Sequence, residues 1–353
     1  MKKQKILFLL VGLVLLSACS DKPSQTKHKL STDEGKPSHQ LNKEPGVNRS
    51  QKKEKTLDSK EKKLPDNHLE LFELDDIKKI KLSYTGFNIS LKTTDKAQLT
   101  VNLSSHEEAN NDEKTTKQMS SMLELNRKNT AKDKKDVTIY LPKSYKGLLL
   151  LDLHNSNLDI EDQLSFSNFK LWTDNSNVIV KNLKAEETDL VLTNSNLESD
   201  SISSDKLNIE VQKGSIRTSI LKGNNVTANI SNGNLLAKKV NGKLDLATRR
   251  GSIKLGDIEG SAKLVTEQGT IIGNFKKIDD NVELISHRGD IKLFIPKEIG
   301  FKLRGVTEKG TIETDFNEQL DIKDGHYQGD IGPKSEIEIS AQVNEGGIEL
   351  KRN

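Results

Sequence analysis

Apolar and polar residues alternate along most of this chain, and a short turn triplet interrupts the alternation at nearly constant intervals. After Gly251 the apolar positions are Ile253, Leu255, Ile258, Ala262 and Leu264; after Gly233 the same offsets give Leu235, Ala237, Val240, Leu244 and Leu246. A period of two marks a strand with one buried face, so every repeat predicts two short strands. The second runs hold the same register at Leu190 and Leu192, at Leu207 to Val211, at Val226 to Ile230, at Val282 and Leu284, and at Phe301 and Leu303. Their polar neighbours, among them Asn208, Glu210, Thr227, Asn229, Lys243 and Lys263, would face water. The pattern calls for no helix.

The triplets are centred on Ser156, Ser176, Ser195, Gly214, Gly233, Gly251, Gly269, Gly289 and Gly310, with steps of 18 to 21 residues. A fixed period of this length predicts a stacked repeat. Gly turns a chain sharply at positive φ without steric cost, and Asn tolerates that conformation better than other side-chain residues. Where Ser is central, Asn157, Asn177 or Asn196 is the expected holder of positive φ. Asn side chains at equivalent corners, about 4.8 Å apart in a stack, are also placed to hydrogen-bond as a ladder.

The reading is therefore all-β: a parallel β-solenoid with two short strands per rung of 18 to 21 residues. Antiparallel strands are expected at the start, from Ile77 to Leu82, Phe87 to Leu91 and Leu99 to Leu103. Residues Ser104 to Asp136 are hydrophilic apart from a patch from Met119 to Leu125, which predicts a long loop or a short helix. Val137 to Leu141 resumes the strand pattern and Pro142 ends it. At the far end, Ile337 to Val343 and Ile348 to Leu350 predict a hairpin closing the last open edge.

Ile139-Tyr140-Leu141-Pro142, followed by Gly251-Ser-Ile-Lys-Leu255, Gly289-Asp-Ile-Lys-Leu293 and Gly310-Thr-Ile-Glu313, resembles the bacterial putative-adhesin β-repeat domain family. The resemblance covers about residues 75 to 350, with a Ser-centred departure from Gly in the first rungs. Some relatives are similar to Lia-type envelope-stress proteins. The resemblance implies a binding or scaffolding role at the cell envelope, adhesin-like or part of an envelope-stress response, and it carries no catalytic residues.

The start of the chain predicts where such a domain lives. Lys2, Lys3 and Lys5 precede an apolar run from Ile6 to Leu16, which is the layout of an export signal. Leu16-Ser17-Ala18-Cys19 resembles a lipobox, implying a signal peptide over residues 1–18 and lipidation, with palmitate among the acyl groups, at Cys19. Cys19 is the chain's single cysteine, so no disulfide is available. Residues 19–70 are polar, scattered with Pro, and predict a disordered tether; the solenoid takes residues 71–353. The expected location is the extracytoplasmic face of the bacterial membrane, with the lipid on Cys19 as the membrane partner.

Composition agrees with a thin aliphatic core: 33% hydrophobic and 4% aromatic residues suit a solenoid better than one large core. A net charge of +3 gives no case for nucleic acid. The seven histidines lack metal-ligand spacing, and neither a nucleophile elbow nor a phosphate loop occurs, so no metal, cofactor or enzymatic activity is predicted. The competing class is a carbohydrate-active β-solenoid enzyme acting on wall or host polysaccharide, with Asp257, Glu259, Asp279, Asp280 and Glu283 as its only carboxylates worth testing. Arg288-Gly289-Asp290 falls at a corner shared with every other rung, which explains its Gly without a receptor.

The residues before the central Gly are Lys213, Asn232, Arg250, Gln268, Arg288 and Lys309. Stacking would align them, with Arg249 alongside and Lys254 and Lys292 as further candidates, into a mainly basic stripe. Its natural ligand is an anionic cell-wall polymer, and an envelope protein is the other expected partner.

Overall fold

The computed structural model describes residues 69–104, 112–316, 320–334 and 336–353. The signal segment, Cys19 and nearly all of the tether lie outside the described residues. Twenty strands and no helix occur among the described residues. The first seven are β1 (Leu69–Phe72), β2 (Lys79–Thr85), β3 (Phe87–Thr94), β4 (Leu99–Leu103), β5 (Asp112–Met119), β6 (Met122–Asn129) and β7 (Lys135–Pro142). The long windings follow as β8 (Leu148–His154), β9 (Asn157–Asp174), β10 (Asn177–Thr193), β11 (Ser195–Thr248), β12 (Ser252–Thr266) and β13 (Thr270–Ser286). The last set is β14 (Asp290–Ile295), β15 (Phe301–Thr307), β16 (Thr311–Thr314), β17 (Asp321–Lys323), β18 (His326–Ile331), β19 (Glu338–Val343) and β20 (Gly347–Arg352).

From β9 to β13 each winding lies parallel on the one before, offset by one rung, as the period predicts. Stacking follows from side-chain direction. Leu158, Val178, Leu197, Ile216, Leu235, Ile253, Ile271 and Ile291 are all buried, and consecutive rungs place them in one internal column. Each such side chain contributes about 2 kcal/mol by leaving water. The residues between them face outward, and there ion pairs run from rung to rung: Lys170 with Asp189 at 2.5 Å, Lys263 with Glu283 at 3.0 Å, and Lys292 with Glu349 at 2.7 Å.

The ends depart from chain order. β2 lies between β6 and β8, and β3 between β7 and β9, so the earliest strand pair is the second rung in space. At the other end β19 lies between β13 and β15, and β20 between β14 and β16. Residues Ile337 to Leu350 therefore form an inserted rung, and the closing hairpin is supplied instead by β17 and β18, with β18 antiparallel on β15. At the start, β4 on β7, β1 on β4 and β5 on β6 are the antiparallel elements.

Residues Ser104 to Asp136, expected as a loop or short helix, instead contain the β5–β6 hairpin. The reason is that β6 buries Leu123, Leu125 and the Arg127 side chain on one face, while β5 is almost wholly exposed and carries no apolar signal. Arg127 meets Glu70 and Lys135 meets Asp112 at 2.5 Å, which ties β1 and β5 across this end of the core. Buried among them, the Tyr84 hydroxyl has its pKa pushed up, chiefly by burial.

Candidate binding edge along the rung corners

Two kinds of corner connect the strands. In the first, Asn155, Asn175 and Asn194 adopt φ of 48°, 50° and 48°, and the following Ser156, Ser176 and Ser195 are buried. The left-handed residue is thus the first Asn of each triplet; the expected Asn157, Asn177 and Asn196 have ordinary backbone. The serine hydroxyls knit the bend together. Ser176 Oγ accepts from Ser156 N at 3.3 Å and donates to Asp174 O at 3.0 Å, and Ser195 Oγ accepts from Ser176 N at 3.1 Å and donates to Thr193 O at 2.8 Å. Buried backbone groups in a tight bend need such partners.

In the second kind the central residue is Gly, and from Gly233 onward its φ is not positive. Glycine is required there by stacking: a Cβ on Gly251 would overlap the carbonyl oxygen of Gly233, and one on Gly289 would overlap that of Gly269. The hydroxyl moves three residues upstream. Thr248 Oγ1 accepts from Gly251 N at 3.1 Å, Thr266 Oγ1 accepts from Gly269 N at 3.0 Å, and Thr307 Oγ1 donates to Gly310 O at 2.6 Å.

The third triplet residue forms the expected ladder. Asn157 Nδ2 donates to Asn88 Oδ1 at 2.9 Å, Asn196 Nδ2 to Asn177 Oδ1 at 3.3 Å, Ser215 N to Asn196 Oδ1 at 3.1 Å, and Ser252 N to Asn234 Oδ1 at 3.2 Å. Asp290, the acid of the Arg-Gly-Asp tripeptide, belongs to this ladder and accepts from Gly347 N at 3.0 Å.

Lys213, Arg249, Arg250, Arg288 and Lys309 are all exposed, and among the described residues no ion pair engages any of them. The backbone bonds from Arg250 N to Ser231 O, Gln268 N to Arg249 O and Arg288 N to Glu267 O fix the rung order beneath them. Lys213, Arg250 and Arg288 alternate with the uncharged Asn232 and Gln268, so successive charges lie about 10 Å apart. Beyond Arg288 the inserted rung changes the column: Glu345 N donates to His287 O and Lys309 N to Asn344 O, so Glu345 stands between Arg288 and Lys309. Glu267 and Glu308 occupy the neighbouring column beside Arg249's position. The basic stretch is therefore concentrated from Lys213 to Arg288. Lys254 and Lys292 belong to an outer sheet face instead, and Lys292 is taken up by Glu349.

Of the candidate carboxylates, Asp280 and Glu283 line one depression of about 530 Å³ together with Asp245, Glu338, Lys243 and Lys263, and the other three lie outside it. Asp257 faces Lys276 at 3.8 Å, Glu259 accepts from Asn241 at 3.2 Å, and Asp279 holds Lys277 at 2.5 Å, a hydrogen bond that raises the lysine pKa. A depression of about 370 Å³ beside β18 includes Glu283, Arg304, Val306, His326, Tyr327 and Gln342 in its lining, and its Glu283 is tied to Lys263. Among the described residues no group of three or more His, Cys, Asp or Glu is gathered to hold a metal ion.

The stacked windings and their corners define a parallel β-repeat. The Toastrack DUF4097 family model matches residues 77–242 and again 240–351, and the chain belongs to that family. Among solved structures, a putative adhesin from Parabacteroides distasonis is 16% identical with a TM-score of 0.50, covering 64% of this chain and 95% of its own. A putative adhesin from Bacteroides fragilis is 13% identical with a TM-score of 0.39, covering 80% and 95% respectively. A putative lipid-binding protein from Parabacteroides distasonis is 13% identical with a TM-score of 0.34, covering 81% and 97%. At these identities the likeness concerns fold. A search of curated proteins gives no match.

Proposed function

We propose that this chain is a cell-surface binding module of the adhesin type, held on the extracytoplasmic membrane face by lipid on Cys19, whose corner edge binds anionic envelope polymer. The observation that carries this reading is the alignment of exposed cations along one edge. Lys81, Lys170, Lys263 and Lys292 on the sheet faces meet carboxylates within 3.0 Å, while the exposed corner cations from Lys213 to Arg288, like Lys254 on a sheet face, meet none among the described residues. A charge left unpaired in the folded protein retains its attraction for an incoming anion, and repeated charges along one edge add. The neighbouring Ser215, Asn234, Ser252 and Thr270 present hydroxyl and amide groups along the same line. A surface role is supported by the putative-adhesin neighbour from Parabacteroides distasonis.

The reading is tested by titrating the full chain with poly(glycerol phosphate). Binding should weaken as salt rises, because screening acts over about 8 Å at physiological ionic strength. The double substitution Arg250→Gln and Arg288→Gln should remove most of it. Binding that ignores both salt and these substitutions would overturn the assignment.

A further inference from the structure

Trp172 is the only tryptophan in the chain and, among the described residues, the only aromatic one in the set of exposed large hydrophobic side chains. Its neighbours Leu171 and Thr173 point into the core, so the indole stands on the outer face of β9, 42% exposed. An aromatic ring left in water on a strand paired on both sides forgoes stabilisation that burial would supply. Fold alone does not require it there: the equivalent positions on the adjoining strands are Asp152 and Val191.

The surroundings limit what could cover it. Asp152 lies opposite on β8, with His154 Nε2 3.2 Å from its Oδ1. Along β9 itself, Lys170 precedes and Asp174 follows on the same face. Lys170 holds Asp189 on β10 at 2.5 Å, and Asn208 donates to the other oxygen of Asp189 at 2.8 Å. Val191, half-buried, continues the apolar surface on the far side of the ring. The result is one flat apolar plate rimmed by carboxylates and an amine whose positions are fixed by partners. A greasy ligand or an apolar protein face would strand these charges out of water, at a cost of several kcal/mol per group. A ligand with one apolar face and a polar edge meets both demands.

We infer that Trp172, with Asp152, Lys170 and Asp189 around it, is a binding platform for a pyranose ring of a neutral polysaccharide. The C–H face of the sugar lies on the indole, and its ring hydroxyls donate to Asp152 and Asp189 and accept from Lys170. The face is open along the strand and across it, which suits a sugar within a chain as well as one at its end. This platform is separate from the corner cations and does not depend on them.

Because Trp172 is the only tryptophan, its emission reports on this one place. The full chain should be titrated with the N-acetylglucosamine tetramer, cellotetraose and maltotetraose, with glycerol as control. At least one tetrasaccharide should change the emission saturably, and the response should persist in about 1 M salt, where surface charge is screened within about 3 Å. Trp172→Ala, read by calorimetry, should lose about tenfold or more in affinity. Asp152→Asn keeps the indole and the optical readout, and should weaken binding several-fold. Arg250→Gln should leave the emission response unchanged while weakening poly(glycerol phosphate) binding, which separates the two sites. No saturable change with any of the three sugars, or undiminished affinity in Trp172→Ala, overturns the platform.

Discussion

The Ser-cornered rungs around Ser156, Ser176 and Ser195 and the Gly-cornered rungs from Gly233 onward make the same bend by opposite means. In the first, the bend is held by an internal hydroxyl at its centre and a left-handed residue just before it. Only Asn fills that position in all three rungs, since a larger side chain with positive φ is strained. In the second, glycine lets one backbone settle on the next, the hydroxyl shifts to Thr248 or Thr266, and the preceding residue has ordinary φ. That position is then open to any side chain, and Arg250, Gln268 and Arg288 occupy it. The glycine is therefore what frees an exposed edge for variable chemistry. From Gly233 onward the backbone no longer demands Asn before the central residue.

The comparison breaks most readily at the glycines. Gly251→Val should cost about 3 kcal/mol or more, as its side chain would overlap the Gly233 carbonyl, and thermal unfolding would measure it. A stability equal to wild type would refute the stacking account. Next, Ser176→Ala should cost about 2 kcal/mol, because Ser156 N loses its buried acceptor; chemical denaturation would read the loss. By contrast Ser252→Ala, on the exposed ladder, should cost less than about 0.5 kcal/mol.

A finer test exchanges the position before the central residue. Asn175→Arg should cost about 1 kcal/mol because the residue sits at φ 50°, whereas Arg250→Asn should leave stability unchanged while weakening poly(glycerol phosphate) binding. Equal stability costs at the two sites would remove the distinction between corners.

A pH-dependent effect concerns the outer faces. Burial pushes the Asp189 carboxyl up, but hydrogen bonds from Asn208 and Lys170 outweigh it and hold the group below its ordinary value of 3.8. A depressed carboxylate contributes stability that is present above that ordinary value and is lost as pH falls through the lower folded-state value. Asp189→Asn should therefore be less stable than wild type at neutral pH by under about 1 kcal/mol, with the gap narrowing as pH falls below the ordinary value of 3.8. Unfolding curves at the two pH values check the sign.

The corner cations Lys213, Arg249, Arg250, Arg288 and Lys309 were all legible as exposed from the triplet series, because a repeat fixes which positions turn outward. Trp172 is not legible in this way, since alternation gives it a face but does not say that its neighbours Asp152 and Asp189 leave it uncovered. Glu345 is illegible for a different reason: its corner stacks directly on Gly289's in space but lies 57 residues further along the chain, outside any step of the repeat.

Local alternation and turn chemistry determined that this is an all-β stack with two strands per rung, a Gly or Asn corner and an outward edge, because side-chain direction along a strand depends only on nearest neighbours in sequence. Tertiary structure alone decided that β2–β3 and β19–β20 slip between rungs that follow them or precede them in the chain. It also decided that the segment from Asp112 to Asn129 pairs as a hairpin, and that the first Asn of each Ser-centred corner carries the left-handed backbone. Rungs with the same alternation are interchangeable to their own sequence. What orders them is the fit of one corner backbone on another and the pairing of strands far apart in the chain.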